Sequence, residues 1–169
     1  FNEVFFDDVF VPDDCVIGEV NDGWRAGRTT LANERVSMGS GASIGAGVTA
    51  LAGLLDDDPS PHAESMVGRL LAREAALASL RNRMTIRSLA GADAGPEASI
   101  VKLLGVIHDQ DVQEAGVELF GPDAAAAVGD AAGWVSSFLW NRSLTIAGGT
   151  SEVQRNVIGE RLLGLPRDT

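Results

Sequence analysis

The spacing of apolar residues along the chain predicts a helical protein. Apolar side chains recur three and four residues apart in several long blocks, which is the pattern of helices with one buried face. We predict long helices over residues 23–55, 62–89 and 96–120, a short apolar helix over residues 134–140 and a last helix that begins near residue 151. Turns rich in glycine and proline separate these blocks, so the helices are expected to fold back on one another as a bundle.

Residues 1–20 have a different pattern, in which apolar residues alternate or cluster around acidic pairs. This predicts one or two short strands with a turn at Pro12 and Gly18. No other part of the chain has a strand pattern, and a lone strand or hairpin is not stable by itself. The segment is therefore expected to need a sheet or another surface outside this chain. Its apolar residues are Val4, Phe5, Phe6, Val9, Phe10 and Val11.

The middle of the first predicted helix consists of very small residues, mostly glycine, alanine and serine over positions 37–47. Each glycine inside a helix costs about 1 kcal/mol relative to alanine, so the cluster needs a compensating interaction. Two interpretations remain open from the residues alone. Either another helix packs unusually close, or a flat ligand lies against this surface.

The two histidines give little indication of a catalytic or metal site. His108 falls inside the apolar stripe of the third long helix, where a hydrogen-bonded core histidine is the usual occupant. Helical bundles that hold a metal pair use Glu-x-x-His on facing helices, and neither His62 nor His108 follows a glutamate at that spacing. No metal site is predicted.

Composition narrows the class of protein further. The chain has 169 residues, a net charge of −11 and a pI near 4.5, which argues against binding to nucleic acid or to anionic membrane surfaces. Cys15 is the only cysteine, so no disulfide within the chain is possible, and Lys102 is the only lysine. No apolar run is long enough to span a bilayer, and a cytoplasmic location is expected.

The C-terminal stretch, residues 144–167, reads LTIAGGTSEVQRNVIGERLLGLPR. Two adjacent glycines precede a predicted helix, with Ser151 as its N-cap, Gln154 as the capping-box partner, and Gly164 and Pro166 ending it. Such a junction directs free backbone N–H groups at one place, which suits an anionic or hydrogen-bonding ligand. An ordinary connection between a loop and a helix is the other interpretation.

Two segments of the chain resemble the acyl-CoA dehydrogenase family. The run AGGTSEVQRNVIGERLLGLPR closely resembles the C-terminal signature of these flavoproteins, and FFDDVFVPDDCVIGEVNDGWRAGRTTLANERVSMGSG is similar to their passage from a β-domain into a helical domain. The resemblance implies an all-α, antiparallel four-helix bundle over residues 23–169, preceded in residues 1–22 by the end of a β-domain. It also implies that the chain is a C-terminal fragment, inactive in isolation.

The resemblance further implies a reaction and its residues. Family members oxidise acyl-CoA thioesters with FAD, in homo-oligomers such as homotetramers, and pass electrons to an electron-transfer flavoprotein. The base that often precedes the Gly-Thr pair is replaced here by Gly148, whereas Glu34 and Arg35 match the branch whose base lies on the first long helix. We therefore expect Glu34 to take the α-proton, Arg35 to bind substrate and flavin N5 to receive the β-hydride. The expected cofactor-binding residues are Gly149, Thr150, Glu152 and, toward a neighbouring subunit, Gly121.

Two departures from the family pattern leave other functions open. An Arg-x-x-Phe-Gly motif that reaches the neighbouring FAD is replaced by DDDPSPHAE at residues 56–64, and the end of the third helix reads ELFGPD. These departures favour a non-catalytic subunit of a mixed tetramer, although Glu34 argues against that alternative. A pure interaction module is a further alternative, which leaves the glycine-rich stretch of the first helix unexplained.

Overall fold

The computed structural model describes residues 2–39, 44–92 and 95–167, apart from the side chains of residues 32, 33 and 35–39. Every regular element in these ranges is helical, which confirms the all-α prediction. No helix in these ranges combines the length and the apolar character needed to cross a bilayer. The α-helices are α1 (Gly23–Gly39), α2 (Val48–Ala52), α3 (Pro61–Leu89), α4 (Glu97–Phe120), α5 (Pro122–Ala126), α6 (Ala131–Trp140) and α7 (Ser151–Val157). Single turns of 3-10 helix cover Asp13–Cys15 and Asn141–Thr145, and a π-helical turn, Ile158–Leu162, continues α7.

The longest helix, α3, begins one residue before its predicted start and ends at the predicted residue. The Ser60 side chain accepts a hydrogen bond from the backbone N–H of Ala63 at 3.2 Å, and Pro61 occupies the first helical position, where its missing N–H costs nothing. Met66, Leu70 and Leu77 recur along one face of the helix and are buried. The helix therefore packs its apolar face on the core.

α3 and α4 form an antiparallel pair. Pairs of side chains along the two helices run in opposite order, so the start of α3 lies beside the end of α4. Only seven residues, 90–96, lie between the two helices in the sequence, which is typical of neighbouring antiparallel helices. The pairs are His62 with Glu118, Glu74 with His108, and Arg87 with Glu97.

α4 is the central helix, because α1, α2, α3, α5, α6 and α7 all pack against it. α6 runs antiparallel to α4, because Trp134 near its start contacts Gly116 and Asn141, just after its end, bonds to Asp109. A Cβ built on Gly116 of α4 would lie 2.0 Å from Cε3 of Trp134, so the indole of α6 lies directly on the backbone of α4. The Trp134 side chain is part of the apolar core, together with Val48, Leu51, Met66, Val67, Leu70, Val112 and Ala115.

Polar residues on α4 hold segments of the chain that lack regular structure. Gln113, which is fully buried, donates from Nε2 to the carbonyl of Ala46 at 2.7 Å, and Oδ1 of Asp109 accepts from the backbone N–H of Ile44 at 3.2 Å. Buried backbone groups need partners, and these side chains replace the hydrogen bonds of a helix or sheet. The same arrangement recurs near the C-terminus.

The prediction of one helix over residues 23–55 is wrong. α1 ends at Gly39, residues 44–47 are not helical, and α2 starts again at Val48. Gly45 has φ +100°, which L side chains rarely adopt, and a Cβ there would lie 2.4 Å from Oγ of Ser137. In the described part of the small-residue stretch, close packing on α4 and α6 therefore explains the glycine. Residues 40–43 lie outside the described residues.

The short β segment and the four-helix bundle are not confirmed. Residues 2–22 form no strand and are irregular except for the turn Asp13–Cys15. Their apolar side chains are exposed, because the described chain offers no strand on which they could pair. The antiparallel arrangement holds for α3, α4 and α6, but α6 has only 10 residues and α7 only 7.

Two tryptophans stay uncovered in this chain. Trp24 on α1 is 73% exposed and Trp140 at the end of α6 is 69% exposed. The apolar face predicted for the first helix is thus not buried at Trp24 or at Leu31. Trp134, by contrast, is the core residue that the apolar pattern of residues 134–140 predicts.

Candidate functional site

The junction between the glycine pair and α7 differs in its cap from the prediction. Thr150, and not Ser151, is the N-cap: its backbone is extended, with φ −61° and ψ 162°, and its Oγ1 accepts from the backbone N–H of Val153 at 3.3 Å. The cap moves one residue because the two preceding glycines turn the chain before Thr150. The capping box of Ser151 and Gln154 does not form as predicted.

Gly148 and Gly149 both adopt backbone conformations that favour glycine. Their φ angles are +66° and +94°. A Cβ on Gly149 would also lie 2.8 Å from Nε2 of Gln154. Any side chain at these two positions would strain the turn, so the glycine pair is a requirement of the backbone.

Lys102 on α4 binds the backbone of this turn. Its side chain is 1% exposed, and Nζ donates to the carbonyl oxygens of Gly149 at 2.7 Å and Leu144 at 3.0 Å. Burying an ammonium without hydrogen-bond partners is costly, and hydrogen bonds from a charged donor are stronger than neutral ones. The turn and the central helix are therefore held together by a buried cation.

Gln154 holds the same turn from the other side. This residue is fully buried in the first turns of α7, and Nε2 donates to the carbonyl oxygens of Gly148 at 3.0 Å and Gly149 at 3.3 Å. Its Oε1 is buried without a hydrogen-bond partner in the described part of the chain. The amide that was predicted to complete a capping box thus orients the glycine pair.

The direction of the carbonyl groups determines where the N–H groups point. In a trans peptide, the C=O of one residue and the N–H of the next lie on opposite sides. Because the carbonyls of Gly148 and Gly149 point inward at Lys102 and Gln154, the N–H groups of Gly149 and Thr150 point away from them. Within the described ranges, the backbone N–H groups of residues 148–151 have no acceptor. The turn therefore carries free hydrogen-bond donors, and we call the N–H groups of residues 148–151 the donor row.

The charges around the turn are coupled. Burial lowers the pKa of Lys102, and the negative charge of Glu152 opposes that shift. The pKa of Glu152 is itself lowered, first by a hydrogen bond from its own backbone N–H and then by one from Thr150. The carboxylate of Glu152, two residues after Thr150, is thus ionised and interacts with the charge of Lys102.

The residues predicted to act on the substrate lie on α1. Glu34 is exposed, and no hydrogen bond or ion pair joins its carboxylate to another described side chain. Arg35 follows it in the same helix, and its side chain lies outside the described residues. The described contacts do not bring Glu34 into contact with the turn at residues 148–152.

Gly121 lies far from that turn. It caps the C-terminal end of α4 with φ +53°, and its N–H donates to Val117 and Glu118. An α-helix rises about 1.5 Å per residue, so Gly121 lies roughly 28 Å along α4 from Lys102. One copy of the chain therefore does not place Gly121 beside Gly149.

Comparison with known proteins identifies the domain. The family described as "Acyl-CoA dehydrogenase, C-terminal domain" matches residues 21–163. The chain belongs to the acyl-CoA dehydrogenase family. It is 45% identical over 168 residues to acyl-CoA dehydrogenase FadE34 of Mycobacterium tuberculosis, covering 99% of this chain and 23% of that protein. It is 33% identical over 184 residues to acyl-CoA dehydrogenase IpdE1 of the same organism, covering 99% of this chain and 45% of that protein.

A solved structure, "Tcur3481-Tcur3483 steroid ACAD", has a similar fold. Its TM-score is 0.77 at 26% identity, and the match covers 97% of this chain and 45% of that one. The chain thus spans from about a quarter to just under half the length of these relatives. It corresponds to the C-terminal helical domain of acyl-CoA dehydrogenases.

Members of this family use FAD, and the donor row fits such a cofactor. The flavin pyrimidine ring and the diphosphate of FAD are rich in hydrogen-bond acceptors, and residues 148–151 offer N–H groups that have no acceptor among the described residues. Sequence reasoning missed Lys102 as part of this site. The available signal was that the only lysine of the chain lies between the apolar residues Val101 and Leu103, in a helix predicted to have one apolar face.

Proposed function

We propose that this chain is the C-terminal part of an FAD-dependent enzyme that removes hydrogen from the α and β carbons of an acyl-CoA thioester. The observation that carries the proposal is the donor row at residues 148–151, held by Lys102 and Gln154 in a chain of this family. Gly149, Thr150 and Glu152 hold the cofactor through this segment. The whole enzyme completes the antiparallel four-helix bundle and adds the β-domain that residues 1–22 lead from.

The reaction needs a base for the α-proton, and we assign that role to Glu34. Gly148 has no side chain, and its φ of +66° disfavours a glutamate at this position. Glu34 is exposed in this chain, so the acyl group and the rest of the enzyme would cover it and remove water from its carboxylate. Arg35, one residue further on α1, binds the thioester end of the substrate.

FAD, when bound, supplies the acceptor for the β-hydride. Gly121 lies roughly 28 Å along α4 from Lys102, too far to reach a cofactor bound at the turn of its own chain. It would therefore contact the cofactor of a second copy. The exposed Trp24 and Trp140 are available for burial in such an assembly. We propose a homo-oligomer, a dimer or tetramer, that passes its electrons to an electron-transfer flavoprotein.

The substrate class we propose to test first is a steroid carrying an acyl-CoA side chain. The structural neighbour with the TM-score of 0.77 is named as a steroid enzyme. Straight-chain and branched acyl-CoA thioesters complete the panel. The thioester that reduces the flavin fastest would assign the enzyme to fatty acid or to steroid metabolism.

A non-catalytic subunit of a mixed tetramer is the second candidate. The name of the structural neighbour joins two designations, Tcur3481 and Tcur3483. The segment DDDPSPHAE at residues 56–64 also lacks the motif that reaches a neighbouring FAD in many family members. In this alternative the chain stabilises a partner that supplies the base.

The test is anaerobic flavin reduction by the thioester panel, measured on the full-length enzyme and on Glu34→Gln. General-base catalysis contributes about a hundredfold to ten-thousandfold, so the variant should lose at least about a hundredfold in the rate of flavin bleaching. Glu64→Gln is the control, because Glu64 is another exposed helical glutamate. Equal rates for Glu34→Gln and the parent would exclude Glu34 as the base. An enzyme that binds FAD only with a different partner subunit would favour the second candidate.

A further inference from the structure

We infer that Lys102 is a positioning residue for the cofactor: by holding the carbonyls of Leu144 and Gly149, it keeps the N–H groups of the turn directed at FAD. The inference rests on the proposed function. It concerns a residue that does not itself touch the cofactor in this geometry, because its two described hydrogen bonds go to backbone oxygens inside the protein.

The first step of the argument is the cost of placing a lysine here. Lys102 is 1% exposed, and its pKa is lowered by burial, so the fold forgoes stability at neutral pH to keep it. A methionine, which has a similar length, would fill the same space without burying a charge. The ammonium must therefore provide something that packing does not.

The second step is what the ammonium holds. Leu144 lies in the 3-10 turn Asn141–Thr145, and Gly149 is the second of the two glycines with positive φ. The backbone N–H groups of Ile146 and Ala147 bond back to Ser143, but those of Gly148 and Gly149 make no backbone hydrogen bond among the described residues. Nζ joins Leu144 and Gly149 to α4 at 3.0 and 2.7 Å. Without it, the carbonyl of Gly149 keeps only the longer bond from Gln154, at 3.3 Å.

The third step links this bond to the ligand. The peptide plane between Gly149 and Thr150 has its carbonyl on Lys102 and its N–H on the opposite side. Rotation of that plane would turn the Thr150 N–H away from the donor row. Lys102 thus fixes the orientation of a donor without being near the face that the donor presents.

The experiment compares Lys102→Met with Gln113→Met in the full-length enzyme. Both replacements remove a buried side-chain donor of α4 from a backbone carbonyl, but Gln113 holds Ala46, in the loop before α2. We measure the dissociation constant of FAD, the absorbance spectrum of bound flavin, the melting temperature of the cofactor-free protein, and hydrogen exchange.

Lys102→Met should weaken FAD binding by about tenfold or more, since it removes two hydrogen bonds from a charged donor, and should shift the flavin spectrum. Amide exchange should accelerate in residues 147–154 of the cofactor-free variant. Gln113→Met should lower the melting temperature but leave FAD affinity within about twofold, with faster exchange confined to the loop and α2.

Three outcomes would overturn the inference. FAD affinity could fall in both variants in proportion to the melting temperature, which would make Lys102 a structural residue only. Exchange in residues 147–154 could stay unchanged in Lys102→Met. Failure of the parent enzyme to bind FAD would contradict the proposed function itself, and with it the ligand assigned to the turn.

Discussion

Nε2 of His108 lies 3.2 Å from Oε2 of Glu74, across the contact between α4 and α3. The imidazole is buried, and its Nδ1 has no partner in the described part of the chain. Burial lowers the pKa of His108, and the carboxylate of Glu74 opposes that shift. Arg73 and Arg81 from α3 lower the pKa further, and Asp111 from α4 raises it.

The environment of His108 predicts that the fold loses stability at acidic pH. A histidine with a lowered pKa in the folded state stabilises the fold fully above its unfolded value of 6.5, and the stabilisation is lost as the pH falls through the folded pKa. Replacement by glutamine removes the titration but keeps a donor toward Glu74. The free energy of unfolding should therefore fall more steeply below pH 6.5 for the parent than for His108→Gln, as measured by urea unfolding. Parallel curves would contradict this assignment.

The contact between Gly116 and Trp134 predicts a large effect from a single methyl group. Gly116→Ala would place Cβ 2.0 Å from Cε3 of Trp134, inside the core, and should destabilise the protein by about 1–3 kcal/mol. Gly105→Ala in the same helix has nothing within 4 Å of its Cβ and should be neutral or stabilising by up to about 1 kcal/mol. Thermal unfolding of both variants checks the pair, and equal melting temperatures would disprove the contact.

The buried carboxylate of Asp109 predicts a pH-dependent effect at Asn141. Burial raises the pKa of Asp109, and the hydrogen bond from Nδ2 of Asn141, at 3.0 Å, lowers it. Asn141→Ala should destabilise by about 2–3 kcal/mol at pH 7, because a buried charge loses a donor. The destabilisation should become smaller toward pH 4, because Asp109 is increasingly protonated in the folded variant and a neutral carboxyl group needs that donor less.

The control for Asn141 is Gln110→Met. Gln110 donates to the backbone carbonyl of Asn141 at 3.2 Å and contacts no buried charge through that bond. Gln110→Met should lower the free energy of unfolding by the same amount at pH 7 and at pH 4. If the destabilisation by Asn141→Ala is also the same at both pH values, Asp109 is not the group involved.

The cap of α3 predicts a modest and local effect. Ser60→Ala removes the acceptor for the Ala63 N–H and should cost about 1 kcal/mol. Ser79→Ala, in the exposed middle of α3, removes only a bond back to the carbonyl of Ala75 and should be neutral or slightly stabilising. Urea unfolding of the two serine variants separates a capping contribution from general loss of a hydroxyl, and equal stability would exclude the cap.

Regular helices were predictable where periodicity and end signals agree. α3 begins one residue before its predicted start and ends at the predicted residue, because a continuous apolar stripe runs along it. The cap by Ser60 and the first helical position of Pro61 were not part of that prediction. The non-helical conformation of residues 44–47 was not predictable from periodicity. Asp109 accepts a hydrogen bond from Ile44 and Gln113 donates one to Ala46, and both partners lie more than sixty residues further along the chain.

The candidate site was predictable in part for the same reason. The glycine pair and the start of the last helix can be recognised locally, and a resemblance to a family gives the roles of Glu34 and Thr150 as hypotheses. Lys102 acts through a contact with Gly149 that spans 47 residues, and no spacing rule relates the two positions. The apolar neighbours of Lys102 in the sequence indicate that it is buried, but they do not indicate which carbonyl groups it binds.

The burial of Lys102 also makes it a built-in reporter of opening. An endoprotease that cuts only after lysine has a single site among these 169 residues, and that bond lies inside the central helix with its side chain enclosed. Cleavage there requires α4 to come away from its neighbours, so its rate measures how often the domain opens. Reagents that modify amines would likewise find no exposed lysine side chain on the folded domain.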